Sequence, residues 1–144
     1  MRSGVLLDTG PLVAYLYRQE AHHNWALEQF TTLGLPFVTC EPVLTEACFL
    51  VARNGQSPTR VLDIFRRGAV RIGIEVQDEL GPIRALIERY ANVPMSLADA
   101  CLVRLAETTQ LPVCTLDVDF TIYRAQGRRP LDLIMPDRRS LHEA

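Results

Sequence analysis

Four acidic residues stand where carboxylates could act together: Asp8, Glu46, Asp99 and Asp117. Asp8 follows directly on the apolar run Val5-Leu6-Leu7, and Asp117 comes just after Val113-Cys114-Thr115. Both runs read as short buried strands. In open parallel sheets, ligands collect beyond the carboxyl ends of strands, near the point where strand order reverses. Glu46 lies in Val43-Leu44-Thr45-Glu46-Ala47-Cys48-Phe49-Leu50-Val51, where a helical stripe centres on Val43, Ala47 and Val51. Glu46 falls at the edge of that stripe, between Leu50 and Phe49. Asp99 lies in Ser96-Leu97-Ala98-Asp99-Ala100. Ser96 as N-cap with an acid three residues on makes a capping box, although Glu or Gln is preferred at that place. Singly, each acid has an ordinary explanation as a cap, a turn or a solvated rim. Two strand ends and two flanking helices together suggest more.

Ionised carboxylates brought into one pocket repel, and some must take up protons unless a cation compensates them. Mg²⁺ and Mn²⁺ favour oxygen ligands and keep water in their remaining positions. Such a centre lowers the pKa of a bound water and stabilises charge on a phosphate. Phosphodiester hydrolysis is the reaction class that follows.

The elements that must position these acids alternate. Strands are expected at Val5–Leu7, Pro36–Thr39, Val70–Val76, Val113–Thr115 and Leu131–Ile134. Helices are expected after Asp8, with Pro11 at the first helical position, then at Ala21–Leu33 (stopped by Gly34) and from Pro42 to Arg53. Further helices are expected from Ser57 to Arg67, Asp78 to Tyr90 and Ser96 to Thr109. This alternation implies an α/β fold with a parallel sheet covered on both faces. At 144 residues, with no repeat or Gly/Ser linker, the chain reads as one domain. Its core is expected over residues 4–135, followed by a polar C-terminal tail.

Apolar residues at 48 % and charged residues at 22 % fit a soluble globular protein. No apolar run reaches the length of a membrane span or a signal-peptide core, so a cytoplasmic location is expected. Cys40, Cys48, Cys101 and Cys114 form no C-x-x-C pair and read as buried reduced thiols. His22 and His23 are adjacent and make a poor metal pair, and His142 lies in the polar tail. The chain has no lysine, which removes P-loop chemistry. A net charge of −2 argues against binding nucleic acid by bulk electrostatics.

Leu6-Leu7-Asp8-Thr9-Gly10-Pro11-Leu12, Glu41-Pro42-Val43-Leu44-Thr45-Glu46, Ser96-Leu97-Ala98-Asp99-Ala100 and Thr115-Leu116-Asp117-Val118-Asp119-Phe120 together resemble PIN-domain ribonucleases. Among these the chain is most like the stand-alone VapC-type toxins of toxin–antitoxin pairs. The resemblance covers Val5 to Met135 and implies a three-layer α/β/α fold and Mg²⁺- or Mn²⁺-dependent endonuclease action on RNA. It places Asp8, Glu46, Asp99 and Asp117 in the acidic cluster, with Asp8, Asp99 and Asp117 as metal ligands, Asp8 and Asp99 foremost. It gives Thr115 a supporting role. Asp119 competes with Asp117 as the fourth acid, and proximity to the strand favours Asp117. A homodimer and a small antitoxin partner are also implied.

The arginines expected to meet RNA are Arg60, Arg66 and Arg67 on one helix, and Arg128 and Arg129 beyond the last acid. Two other readings compete. Asp8-Thr9-Gly10 spells the aspartic-protease triplet, which demands an almost all-β homodimer. A PIN-like module could instead bind RNA or a partner without cutting. The presence of all four acids favours an enzyme.

Overall fold

In the computed structural model, which describes residues 3–33, 36–137 and 141, the main sheet is five-stranded and parallel throughout, in the spatial order Val70–Ile72, Phe37–Thr39, Val5–Leu7, Val113–Cys114, Leu133–Ile134. Its strands are β1 (Val5–Leu7), β2 (Phe37–Thr39), β3 (Val70–Ile72), β4 (Val113–Cys114) and β7 (Leu133–Ile134). β1 is central, with Leu6 in register with Val38 of β2 on one side and Val113 of β4 on the other. The chain leaves β1 towards β2 and later returns to β1's other edge as β4. The strand-order reversal therefore falls between β1 and β4, where Asp8 and Asp117 emerge.

Period-2 alternation divides the core between the two faces. Val5 and Leu7 pack with Leu12, Ala47, Val61 and Ile64, whereas Leu6 packs with Ile83, Leu86, Leu102 and Phe120. Burial on both faces explains why β1 reads as an unbroken apolar run.

The helices are α1 (Thr9–Leu16), α2 (His23–Thr32), α3 (Glu41–Arg53), α4 (Thr59–Arg66), α5 (Leu80–Arg89) and α6 (Leu97–Thr109). The Asp-Thr-Gly triplet opens α1 in an α/β fold, which removes the all-β frame that the protease reading requires. Pro11 is the third residue of α1, not the first, because Asp8 already caps the helix. First-turn N–H groups have no acceptor within the helix, so proline costs little anywhere in that turn. Pro82 occupies the same place in α5.

Val70–Val76 proves to be a strand only as far as Ile72, followed by a 3-10 turn at Val76–Glu79. The strand stops with its partner β2, and Gly73 closes it by donating its N–H to the Thr39 carbonyl at 2.9 Å. A Cβ on Gly73 would lie 2.3 Å from Cγ1 of Val38, so only glycine fits there. A small antiparallel hairpin, β5 (Arg124–Ala125) with β6 (Arg129–Pro130), was not expected from the sequence. Its turn carries positive φ at Gln126 and Gly127, and Gly127 was the available signal. The expected stop at Gly34 and the tail residue His142 lie outside the described residues. Among the described residues no helix is long and apolar enough to cross a membrane.

Candidate active site

Asp8 is placed by two elements at once. Its N–H donates to the Cys114 carbonyl at 3.0 Å, tying the end of β1 to β4, while its side chain caps α1. Oδ1 accepts from the Thr9 N–H at 2.8 Å and Oδ2 from the Thr115 hydroxyl at 2.6 Å. Only 7 % of Asp8 is exposed. Burial pushes its carboxyl up to about 7, with the charges of Asp99 and Asp117 adding to the rise and the bonds from Thr115 and Thr9 opposing it.

Thr115 follows directly on β4 and is fully buried. It donates to Asp8 and accepts from the Asp117 N–H at 2.9 Å, so a single side chain sets the spacing of two acids. Asp117 in turn accepts from the Asp119 N–H at 2.9 Å and caps the 3-10 turn Val118–Thr121. Thr115 was expected within the strand but lies just past it.

Asp99 sits in the first turn of α6, in the capping box with Ser96: its Oδ2 accepts from the Ser96 N–H at 3.1 Å, and its N–H donates to Oγ at 3.0 Å. The Tyr123 hydroxyl reaches the same Oδ2 at 3.4 Å. Half-burial raises the Asp99 carboxyl, and the Asp117 charge adds to this. Capping and membership of the cleft are thus compatible roles for one side chain. Glu46, on the exposed side of α3, accepts a hydrogen bond from the Thr9 hydroxyl.

These four acids, with Thr9, Gly10, Leu50, Ser96 and Leu116, line one open cleft of about 390 Å³ at the β1–β4 switch point. Gly10 lets the start of α1 approach Leu116, whose Cβ would stand 3.2 Å from any Cβ added there. Asp119 does not line the cleft. Burial and the Asp117 charge raise its carboxyl. Among the described residues, no three His, Cys, Asp or Glu side chains converge tightly enough to chelate an ion as they stand. The donors are all carboxylate and hydroxyl oxygens, which suits Mg²⁺ or Mn²⁺ and not a soft metal.

None of the five arginines singled out in the sequence lines this cleft. Arg60 and Arg67 line a separate hollow of about 560 Å³ at the far end of α1, where Arg60 donates to the Leu16 carbonyl at 3.2 Å. Arg66 is exposed on α4, and Arg128 and Arg129 are exposed on the β5–β6 hairpin. Of the described histidines, neither His22 nor His23 lines the cleft. His22 stands 3.5 Å from Glu20, and His23 Nδ1 lies 2.7 Å from the Ala14 carbonyl. All four cysteines are free, and Cys48 is only half-buried where full burial was expected.

Sequence reasoning missed Thr9 and Tyr123. Tyr123 is fully buried, edge-on to Tyr90 and Phe120. Nothing local in the sequence links it to Asp99, because that contact exists only through the tertiary fold. Thr9 stands beside Asp8, and its hydroxyl was the overlooked signal.

The PIN domain family model matches residues 5–126. No curated protein sequence matches the chain significantly. Among solved structures, the chain is similar to VapC20 of Mycobacterium tuberculosis, a toxin that cleaves the sarcin–ricin loop. The TM-score there is 0.77 and the identity 19 %, covering 88 % of this chain and 99 % of that one. It is also similar to a chain of VapBC2 from Rickettsia felis, solved bound to a DNA fragment from the promoter. The TM-score is 0.59 and the identity 16 %, over 93 % of this chain and 99 % of the other. With four acids on one cleft of an α/β fold, and a family model spanning most of its length, the chain belongs to the PIN-domain family.

Proposed function

We propose that this PIN domain is a metal-dependent endoribonuclease that hydrolyses RNA phosphodiester bonds, and that it serves as the toxin of a type II toxin–antitoxin pair. The observation that carries this reading is the convergence of Asp8, Glu46, Asp99 and Asp117 on a single cleft, with Asp8 buried and flanked by two further carboxylates. Asp8, Asp99 and Asp117 would hold Mg²⁺ or Mn²⁺. When bound, the ion supplies an acidified water and charge stabilisation at the phosphate.

The chain's own residues do the positioning. Thr115 and the Thr9 N–H fix both oxygens of Asp8. Ser96 and Tyr123 fix Asp99. The Thr9 hydroxyl holds Oε1 of Glu46 and leaves Oε2 to accept a proton from the attacking water. Likeness to VapC20 and to VapBC2 supports a small antitoxin as partner, and a homodimer as the working form belongs to the same reading. Asp119 stands behind Asp117 as support.

Incubating the purified chain with defined RNAs, with Mg²⁺, with Mn²⁺ and with chelator tests the reading. Cleavage is expected with either ion and not with chelator. Asp8→Asn and Asp99→Asn are expected to abolish it while remaining folded by circular dichroism. Undiminished cleavage by both folded variants would remove the acidic cleft as the active site.

A further inference from the structure

Among the described residues, the most exposed large apolar side chain is Phe49, at 61 %. It lies on α3 three residues after Glu46, one turn along the face that brings Glu46 to the cleft. Leu50, on the other side of Glu46, lines that cleft. The remaining exposed residues of this part of α3 (Thr45, Glu46, Ala52 and Arg53) are small or polar. Along α3 itself, Phe49 is therefore an exposed aromatic ring whose exposed neighbours are small or polar, not a run of exposed apolar side chains of the kind that marks a protein interface. The Arg53 guanidinium lies over the ring, 5.8 Å from its centroid. Among the described residues no carboxylate forms an ion pair with it.

We propose that Phe49 is a nucleobase-stacking subsite for the RNA strand that the acidic cleft cuts, with Arg53 meeting a backbone phosphate of the stacked nucleotide. The inference rests on the ribonuclease reading and adds to it where the strand runs: out of the cleft past Glu46 and along α3. An aromatic face is suited to this because every base presents a flat π-surface to it. A guanidinium is suited to the accompanying phosphate because it offers a planar fork of donors and tolerates stacking on a ring. Stacking is tolerant of base identity, so this subsite fixes the grip and register of the strand and leaves sequence choice to other contacts.

The test is a set of short single-stranded RNAs, identical except for one abasic site moved stepwise along the strand. Each is cut in Mg²⁺ by wild type, Phe49→Ala and Phe49→Tyr. Phe49→Ala is expected to raise KM roughly five- to 150-fold, and Phe49→Tyr to restore it. At one position, removing the base should cost wild type the same factor and cost Phe49→Ala nothing further. Equal sensitivity of wild type and Phe49→Ala to the abasic site at every position overturns the subsite. So does a Phe49→Ala defect that tracks only the dissociation of a dimer in sedimentation, which would make the ring a contact between copies. Should wild type cut none of these strands, the ribonuclease reading fails separately. Anisotropy titration of the same RNAs in Mg²⁺ then decides the subsite by the same comparison, equal binding by Phe49→Ala and wild type overturning it.

Discussion

Replacing Asp8 with asparagine perturbs the most constrained group in the cleft, and its effect on stability can be worked from the structure. Burial, assisted by Asp99 and Asp117, lifts the folded-state carboxyl from 3.8 to about 7. Between those values the folded chain holds a proton that the unfolded chain has released, so stability falls as pH rises through this window and levels off above it. At about 1.4 kcal/mol for each tenfold change in proton affinity, the full penalty is ~4 kcal/mol. Roughly 3 kcal/mol of it develops between pH 5 and pH 8. Asparagine keeps an acceptor for Thr115 or for the Thr9 N–H and carries no charge, so it escapes the penalty. Urea unfolding in chelator at the two pH values measures this directly. Wild type should lose about 3 kcal/mol more than Asp8→Asn, equivalent to a difference on the order of 10 °C in Tm. Adding Mg²⁺ or Mn²⁺ at pH 8 should restore wild type and leave the variant unchanged. Parallel pH dependences for the two proteins would show that Asp8 is not a strained carboxylate, and the electrostatic argument for a cation would lose its basis.

Two further predictions follow from the supports of the cleft and the sheet. Thr115→Val removes the donor to Asp8 and the acceptor for the Asp117 N–H, and should cost about 2–3 kcal/mol. It should also move the onset of cleavage to higher pH, since Asp8 then gives up its proton less readily; Thr115→Ser should restore both, and a pH–rate profile with Thr115→Val matching Thr115→Ser would contradict the assigned role. Gly73→Ala forces a Cβ to within 2.3 Å of Val38 and should cost about 1–3 kcal/mol. Val38→Ala in the same chain should relieve part of that cost, and additive losses in Tm would count against the clash.

Much of this arrangement is written locally. The unbroken apolar run of β1, the Ser96 cap and the proline-opened helices each carry a signal within a few residues, and they suffice to place Asp8 and Asp99. Strand alternation puts both Asp8 and Asp117 at strand ends, whereas the β1–β4 pairing that joins them is set by the order of the sheet. Other features depend on tertiary contacts that no local pattern encodes. Val70–Val76 carries a β-branched residue at every other position, yet it pairs only as far as β2 extends. Tyr123 reaches Asp99 across 24 residues of sequence and Thr9 reaches Glu46 across 37. The arginines share a charge and little else, and the fold sends Arg60 and Arg67 to the opposite end of α1 from the acids.

The cleft can work as a nuclease centre only if its acids form one cation site, and Mn²⁺ binding followed by electron paramagnetic resonance tests that most directly. Wild type should bind Mn²⁺ saturably. Asp8→Asn and Asp99→Asn should each lose that binding, whereas Asp78→Asn, on the remote 3-10 turn, should keep it. Equal Mn²⁺ binding by wild type, Asp8→Asn and Asp99→Asn would mean that the carboxylates of this cleft do not act as a metal centre.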